Sequence, residues 1–180
     1  MSSPRRFTPQ NDGDLLARFE PIEVDLLRLA TTQLLEMLDS ATADPQLAAS
    51  DGIFGRLLPD AYRDDDDAAA EFRRFTAPGL LERKAQTAQI VLGSLDVSAS
   101  EAAAATPDAA DRQPVTISLN PDAVQAWLRS LTDLRLTLAD RLQISSDGVV
   151  HMDGDDMPFL RDLYDWLGML QEELVYTIDI

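Results

Sequence analysis

"NPDAVQAWLRSLTDLRLTLADRLQ", residues 120–143, decides the fold class. Asn120 has a side chain that accepts from the free N–H groups of a first helical turn, and Pro121 suits the first helical position, where no N–H is needed. Val124, Trp127, Leu128, Leu131, Leu134, Leu138 and Leu142 then recur at the spacing of one helical stripe. The stretch predicts a helix running to about Gln143. Two more stretches carry the same period. "PIEVDLLRLATTQLLEMLD" (21–39) opens with Pro21, places Glu23 and Asp25 in the positive field of a helix start, and repeats Leu26, Leu27, Ala30, Leu34, Met37 and Leu38. A helix this apolar is expected at the centre of the fold. Residues 158–178 repeat Leu160, Leu163, Tyr164, Leu167, Leu170, Leu174 and Ile178.

The strand signals are shorter. "VTISLN" (115–120) alternates, and "RRFTPQNDGDLLARFE" (5–20) reads as two short strands around Asn11-Asp12-Gly13, a hairpin cue. The strand at 115–120 is expected to pair with that hairpin. Residues 40–57 are broken by glycines, with Ile53, Phe54, Leu57 and Leu58 tucked onto the core. A helix is expected to begin near Ala68, capped by Asp66 or Asp67, with a further one from about Pro78 to Leu95. Residues 96–114, rich in Ala, Ser, Pro and Asp, offer too little apolar area to offset ordering and read as a flexible linker. The expected fold is mainly α: a helical bundle of four or five helices with a small antiparallel sheet from the short N-terminal and central strands. In domain terms, 1–95 holds the hairpin and helices, 96–114 the linker, and 115–180 a strand plus helical hairpin that packs with 1–95 as one domain.

Composition narrows the function. The chain of 180 residues has no cysteine and a single histidine, His151. Disulfides, thiolate metal sites, a cysteine nucleophile and thiol redox sensing are therefore excluded. The formal net charge is −17, with residues 1–95 carrying 16 acidic and 10 basic groups and the remainder 16 and 5. Phosphate neutralisation drives nucleic-acid affinity, so direct binding is not expected. No long apolar run suggests a membrane span, and the N-terminus lacks the apolar core of a secretory signal, which points to the cytoplasm. The basic residues are 14 Arg and one Lys, Lys84, a usage typical of GC-rich genomes.

Each chemical motif has a plainer reading. Asp64 to Asp67 could hold a hard cation, but consecutive residues at a helix start point in different directions, and a capped, solvated start is preferred. The loop 147–156 holds Asp147, Asp153, Asp155 and Asp156, yet Met157 stands where a calcium loop needs its next oxygen ligand. His151 has no nucleophile elbow to serve. No phosphate-binding glycine motif exists. Trp127, Trp166, Tyr164 and Phe159 could form a binding surface, but their spacing favours a core role. No catalytic, metal or cofactor residue is expected, and no cofactor.

Two blocks resemble a known family. "RLLPDAYRDDDDAAAEFRRFTAPGLLERKAQTAQIVLGSL" (56–95) and the stretch from Leu119 to Val175, with Asp-Leu-Arg-Leu and Tyr-Asp-Trp-Leu-Gly, are similar to an actinobacterial family of domains of unknown function related to AosR-type oxidative stress regulators. The resemblance implies a non-enzymatic, cytoplasmic transcription regulator acting through a protein partner such as a sigma factor or RNA polymerase. Family members tend to be encoded beside a Clp-protease adaptor, which implies an accessory role in Clp proteolysis as the alternative. A carboxylate-based, metal-dependent enzyme is the third reading. Redox sensing as proposed for the family needs cysteines, which this chain lacks. The surface expected to meet a partner is Arg56, Asp60, Tyr62, Arg73 and Arg74, and a homodimer is compatible with the sequence.

Overall fold

The computed structural model describes residues 5–46, 52–58, 62, 64–105, 113–144, 154 and 156–179, with backbone alone for 99–105. Among them lie three strands, β1 (Phe7–Pro9), β2 (Leu15–Phe19) and β3 (Val115–Leu119), and five helices, α1 (Pro21–Ala43), α2 (Gly52–Leu57), α3 (Asp66–Ala105), α4 (Pro121–Arg141) and α5 (Met157–Ile178). The fold is mainly α with one small antiparallel sheet.

The hairpin forms where the sequence places it. Gly13 takes φ 90°, a conformation free of strain only for glycine. The Gln10 N–H donates to the Asp14 carbonyl at 2.8 Å, closing the turn. β2 is the middle strand. Ala17 lies opposite Phe7 on one side and Ile117 on the other. Period-two alternation turns Leu15, Ala17 and Phe19 inward together with Val115, Ile117 and Leu119. Phe19 stacks on Trp127 of α4, 5.6 Å between centroids, and meets Phe7 edge-on at 6.1 Å. The Trp127 indole N–H donates to Ser94 Oγ at 3.0 Å, tying sheet, α3 and α4 into one core.

α4, rather than α1, occupies the centre. It packs against α1, α2, α3, α5 and β3. α1 buries one face, Val24, Leu27, Thr31, Leu34, Leu38 and Ala41, and leaves Ile22 and Leu29 exposed. The more apolar of the two helices is thus the more peripheral one. The start of α1 is closed by a capping box between Glu20 and Glu23, and that of α4 by Asn120, whose side chain accepts from the Ala123 N–H at 2.8 Å.

α3 departs from the expectation of two helices. It runs unbroken through Pro78 and on through residues 96–105, into the stretch expected to be linker. Pro78 has no N–H for the Arg74 carbonyl, a loss of about 3 kcal/mol in a helix interior. What holds the helix is its buried stripe beyond the proline, Leu81, Ala85, Ala88, Val91, Leu95 and Ser98, set against α1, α4 and β3. The acidic run does start a helix, with Asp65 as the capping residue. Its Oδ1 accepts from the Ala68 N–H at 3.0 Å, one position earlier than expected. α2 is a short helix within the stretch expected to be broken by glycines, and it buries Ile53, Phe54 and Leu57 on the core, with Leu58 behind them, as the sequence implies. His151, Asp147, Asp153 and Asp155 lie outside the described residues.

Candidate interaction surfaces

Polar junctions tie the elements together, among them Arg28 of α1, which donates to Asp96 Oδ1 of α3 at 3.0 Å. The one lysine reaches from α3 to α4, where Lys84 Nζ donates to Asp133 Oδ1 at 2.6 Å. Asp133 is only 3% exposed. Burial pushes its carboxyl above the ordinary range, and the bond and charge of Lys84 offset that only in part. On the other side of α4, Arg135 donates to Gln171 Oε1 at 3.1 Å and Tyr164 Oη at 3.4 Å, and its guanidinium lies 4.9 Å from the centre of the Tyr164 ring. Gly168 of α5 makes room for it: a Cβ there would sit 3.4 Å from the guanidinium carbon. The Asp-Leu-Arg-Leu and Tyr-Asp-Trp-Leu-Gly stretches therefore meet at one contact.

Arg56 of α2 donates to the Ile144 carbonyl at 2.8 Å and pairs with Asp140 at 3.3 Å. Arg6 grips both oxygens of Glu23 at 2.7 and 3.0 Å, with its guanidinium over Phe19. Burial alone would raise the Glu23 carboxyl. Arg6 and the Glu20 N–H together outweigh it and hold the carboxyl below its ordinary value.

Of the expected partner-binding residues, Arg56 lies on α2, Tyr62 beside Phe72, and Arg73 and Arg74 on the first part of α3. Arg56 is partly exposed while bonded to Ile144 and Asp140. Asp60 lies outside the described residues. Tyr62 is half exposed and meets Phe72 edge-on at 5.9 Å. Arg73 is half-buried, and Arg74 is exposed on the first part of α3. Of the aromatics, Trp127 is fully buried, Tyr164 and Trp166 are partly buried, and Phe159 is exposed.

Sequence reading missed two outer helix faces. Along α3, opposite the buried stripe, Phe72, Phe75, Ile90 and Val97 are 43%, 75%, 47% and 60% exposed. Gly79 and Gly93 lie on that same face with open space where a side chain would stand. On α5 the outer row reads Asp162, Asp165, Met169, Glu172, Tyr176 and Asp179, all exposed. On α3 the apolar residues of this face are interrupted by Arg83 and Gln86, and on α5 only Met169 and Tyr176 of the row are apolar, so neither shows the unbroken three- and four-residue steps of a buried stripe.

Among the described residues, no group of three or more His, Asp or Glu side chains could hold a metal ion, and no helix is long and apolar enough to cross a membrane. Residues 4–178 match the model of a domain of unknown function, DUF2017. The chain belongs to the DUF2017 family. It is similar to proteins named oxidative stress regulator AosR from Mycobacterium bovis and Mycobacterium tuberculosis, each 30% identical over 91% of this chain and 80% of its own length. A Mycobacterium leprae protein is 28% identical over 80% of this chain and 66% of its own. No solved structure matches. The DUF2017 match spans every described helix and strand, to the last residue of α5.

Proposed function

We propose that this DUF2017 protein is a non-enzymatic, cytoplasmic regulatory protein that acts by binding another protein. The observation that carries the reading is the likeness, over 91% of the chain, to proteins named as oxidative stress regulators. The placement of side chains supports it. Lys84, Asp133, Arg135, Arg56 and Glu23 join elements of the fold to one another, while large apolar side chains gather on outer faces. The α5 face suits a protein partner. Met169 and Tyr176 are two turns apart and ringed by Asp162, Asp165, Glu172 and Asp179, so a partner segment with basic residues around an apolar centre fits it. A component of the transcription machinery, such as a sigma factor or RNA polymerase, is the proposed partner class.

The test is capture of the tagged chain from its own cells, with and without peroxide, read by mass spectrometry. The reading expects a transcription component, lost when Met169→Asp and Tyr176→Asp are combined. Recovery of Clp subunits instead moves the protein to an adaptor role, and recovery of neither overturns both readings.

A further inference from the structure

The outer stripe of α3 carries a second inference, independent of the α5 face. Phe72, Phe75, Ile90 and Val97 are large and exposed, and Gly79 and Gly93 are gaps on the same face. Their order is self-complementary. When α3 is laid antiparallel on a copy of itself with Gly79 opposite Ile90, Phe72 falls opposite Val97. Phe75 falls within one residue of Gly93. Each large side chain then meets a gap or another apolar side chain, and at the centre Arg83, which donates to its own Gly79 carbonyl at 3.3 Å, falls opposite Gln86 of the other copy, so two apolar ends flank a polar middle. In a parallel pairing Phe72 meets Phe72 and Gly79 meets Gly79, which leaves crowding and voids in turn.

We propose that the outer face of α3 pairs with the same face of a second copy, antiparallel, about a two-fold axis crossing between Lys84 and Ala85. The stripe from Phe72 to Val97 is about 38 Å long at a helical rise of 1.5 Å per residue. Meshed helices of that length bury on the order of 1,000 Å² in total, the lower bound of specific interfaces. The large apolar side chains provide the contact, and the like charge of the two copies, −17 each, opposes it. The dimer is therefore concentration-dependent and tightens with salt, whereas a basic partner on an acidic face loosens with salt.

The chain has no cysteine, so single introduced thiols report the geometry directly. Across the proposed axis two Gln86 positions are about 4.5 Å apart along the helices, and two Gly93 positions about 25 Å apart. Oxidation of Gln86→Cys should give a covalent dimer, and Gly93→Cys should not. Sedimentation equilibrium of the unmodified full chain should show monomer and dimer, with more dimer at higher salt. Phe75→Asp and Ile90→Asp should each weaken association by about 10-fold or more at unchanged circular dichroism. A chain that stays monomeric up to about 1 mM overturns the proposal. So do efficient cross-linking of Gly93→Cys, a monomer that uses this face only for an unrelated protein, and aspartate variants that dimerise as the parent does.

Discussion

α3 and α4 lie side by side and invert the usual arrangement of apolar and polar residues. α4 buries Ser130, Asp133 and Thr137, while α3 exposes Phe72, Phe75, Ile90 and Val97. Position in the bundle explains the first. α4 has neighbours over most of its surface and keeps the row Asp122, Gln125, Arg129 and Thr132 exposed. Of its buried polar groups Asp133 and Thr137 are met by partners, and the Ser130 hydroxyl has none among the described residues. Lys84 serves Asp133, and the Thr137 hydroxyl donates to the Asp133 carbonyl at 2.9 Å. Length explains the second. α3 spans 40 residues, about 60 Å, and offers one face to the core from Leu81 to Ser98. Exposure of a phenylalanine is therefore as informative as burial of an aspartate.

The largest expected effect breaks α4. Trp127→Ala removes the ring that stacks on Phe19 and the donor to Ser94. It should cost about 4 kcal/mol by urea unfolding. Next comes the buried charge. Lys84→Met leaves the Asp133 carboxylate without its counter-charge and should cost about 3 kcal/mol near neutral pH. The sign of its pH dependence follows from the raised Asp133 pKa. Ionised Asp133 penalises the fold above that pKa, and protonation relieves the penalty as pH falls through it, so the gap between variant and parent narrows in acid. Glu23 behaves oppositely. Its lowered pKa gives stability that is present above the ordinary carboxylate range and is lost as pH falls through the folded value. Glu23→Gln should remove about 1 kcal/mol at neutral pH and flatten the parent's acid loss. Gly168→Ala should displace the Arg135 guanidinium from α5 and cost about 1 kcal/mol, which Arg135→Met in the same chain relieves. The smallest effect belongs to α3. Phe75→Ala should change the stability of the monomer by less than about 0.5 kcal/mol.

Local signals were legible in the sequence. The Asn-Asp-Gly turn, the alternation of β3, the Asn-Pro start of α4 and the aspartate run as a helix start depend on neighbours in the chain. The resemblance to AosR-type regulators was legible too, in the Asp-Leu-Arg-Leu and Tyr-Asp-Trp-Leu-Gly stretches. What escaped depends on residues far apart. Pro78-Gly79 reads as a break, and it is overridden because Leu81 to Leu95 pack on α1 and α4 across the fold. The Ala-rich residues 96–105 continue that helix through the high helical propensity of alanine, which composition alone had assigned to a linker. Lys84 meets Asp133 across 49 positions, and no local period announces such a pair. Arg56 donates to the Ile144 carbonyl 88 positions away, a bond that no local pattern announces. The centrality of α4 over the more apolar α1 was likewise a matter of neighbours rather than of composition.

The contrast between the two helices is tested most directly by urea unfolding of a chain carrying Phe72→Ser and Phe75→Ser together, at a concentration where the parent is monomeric. If the outer face of α3 is a surface held for contact, the unfolding free energy stays within about 1 kcal/mol of the parent. A loss of about 3 kcal/mol or more, comparable to Trp127→Ala, would make these phenylalanines part of the core and contradict the account.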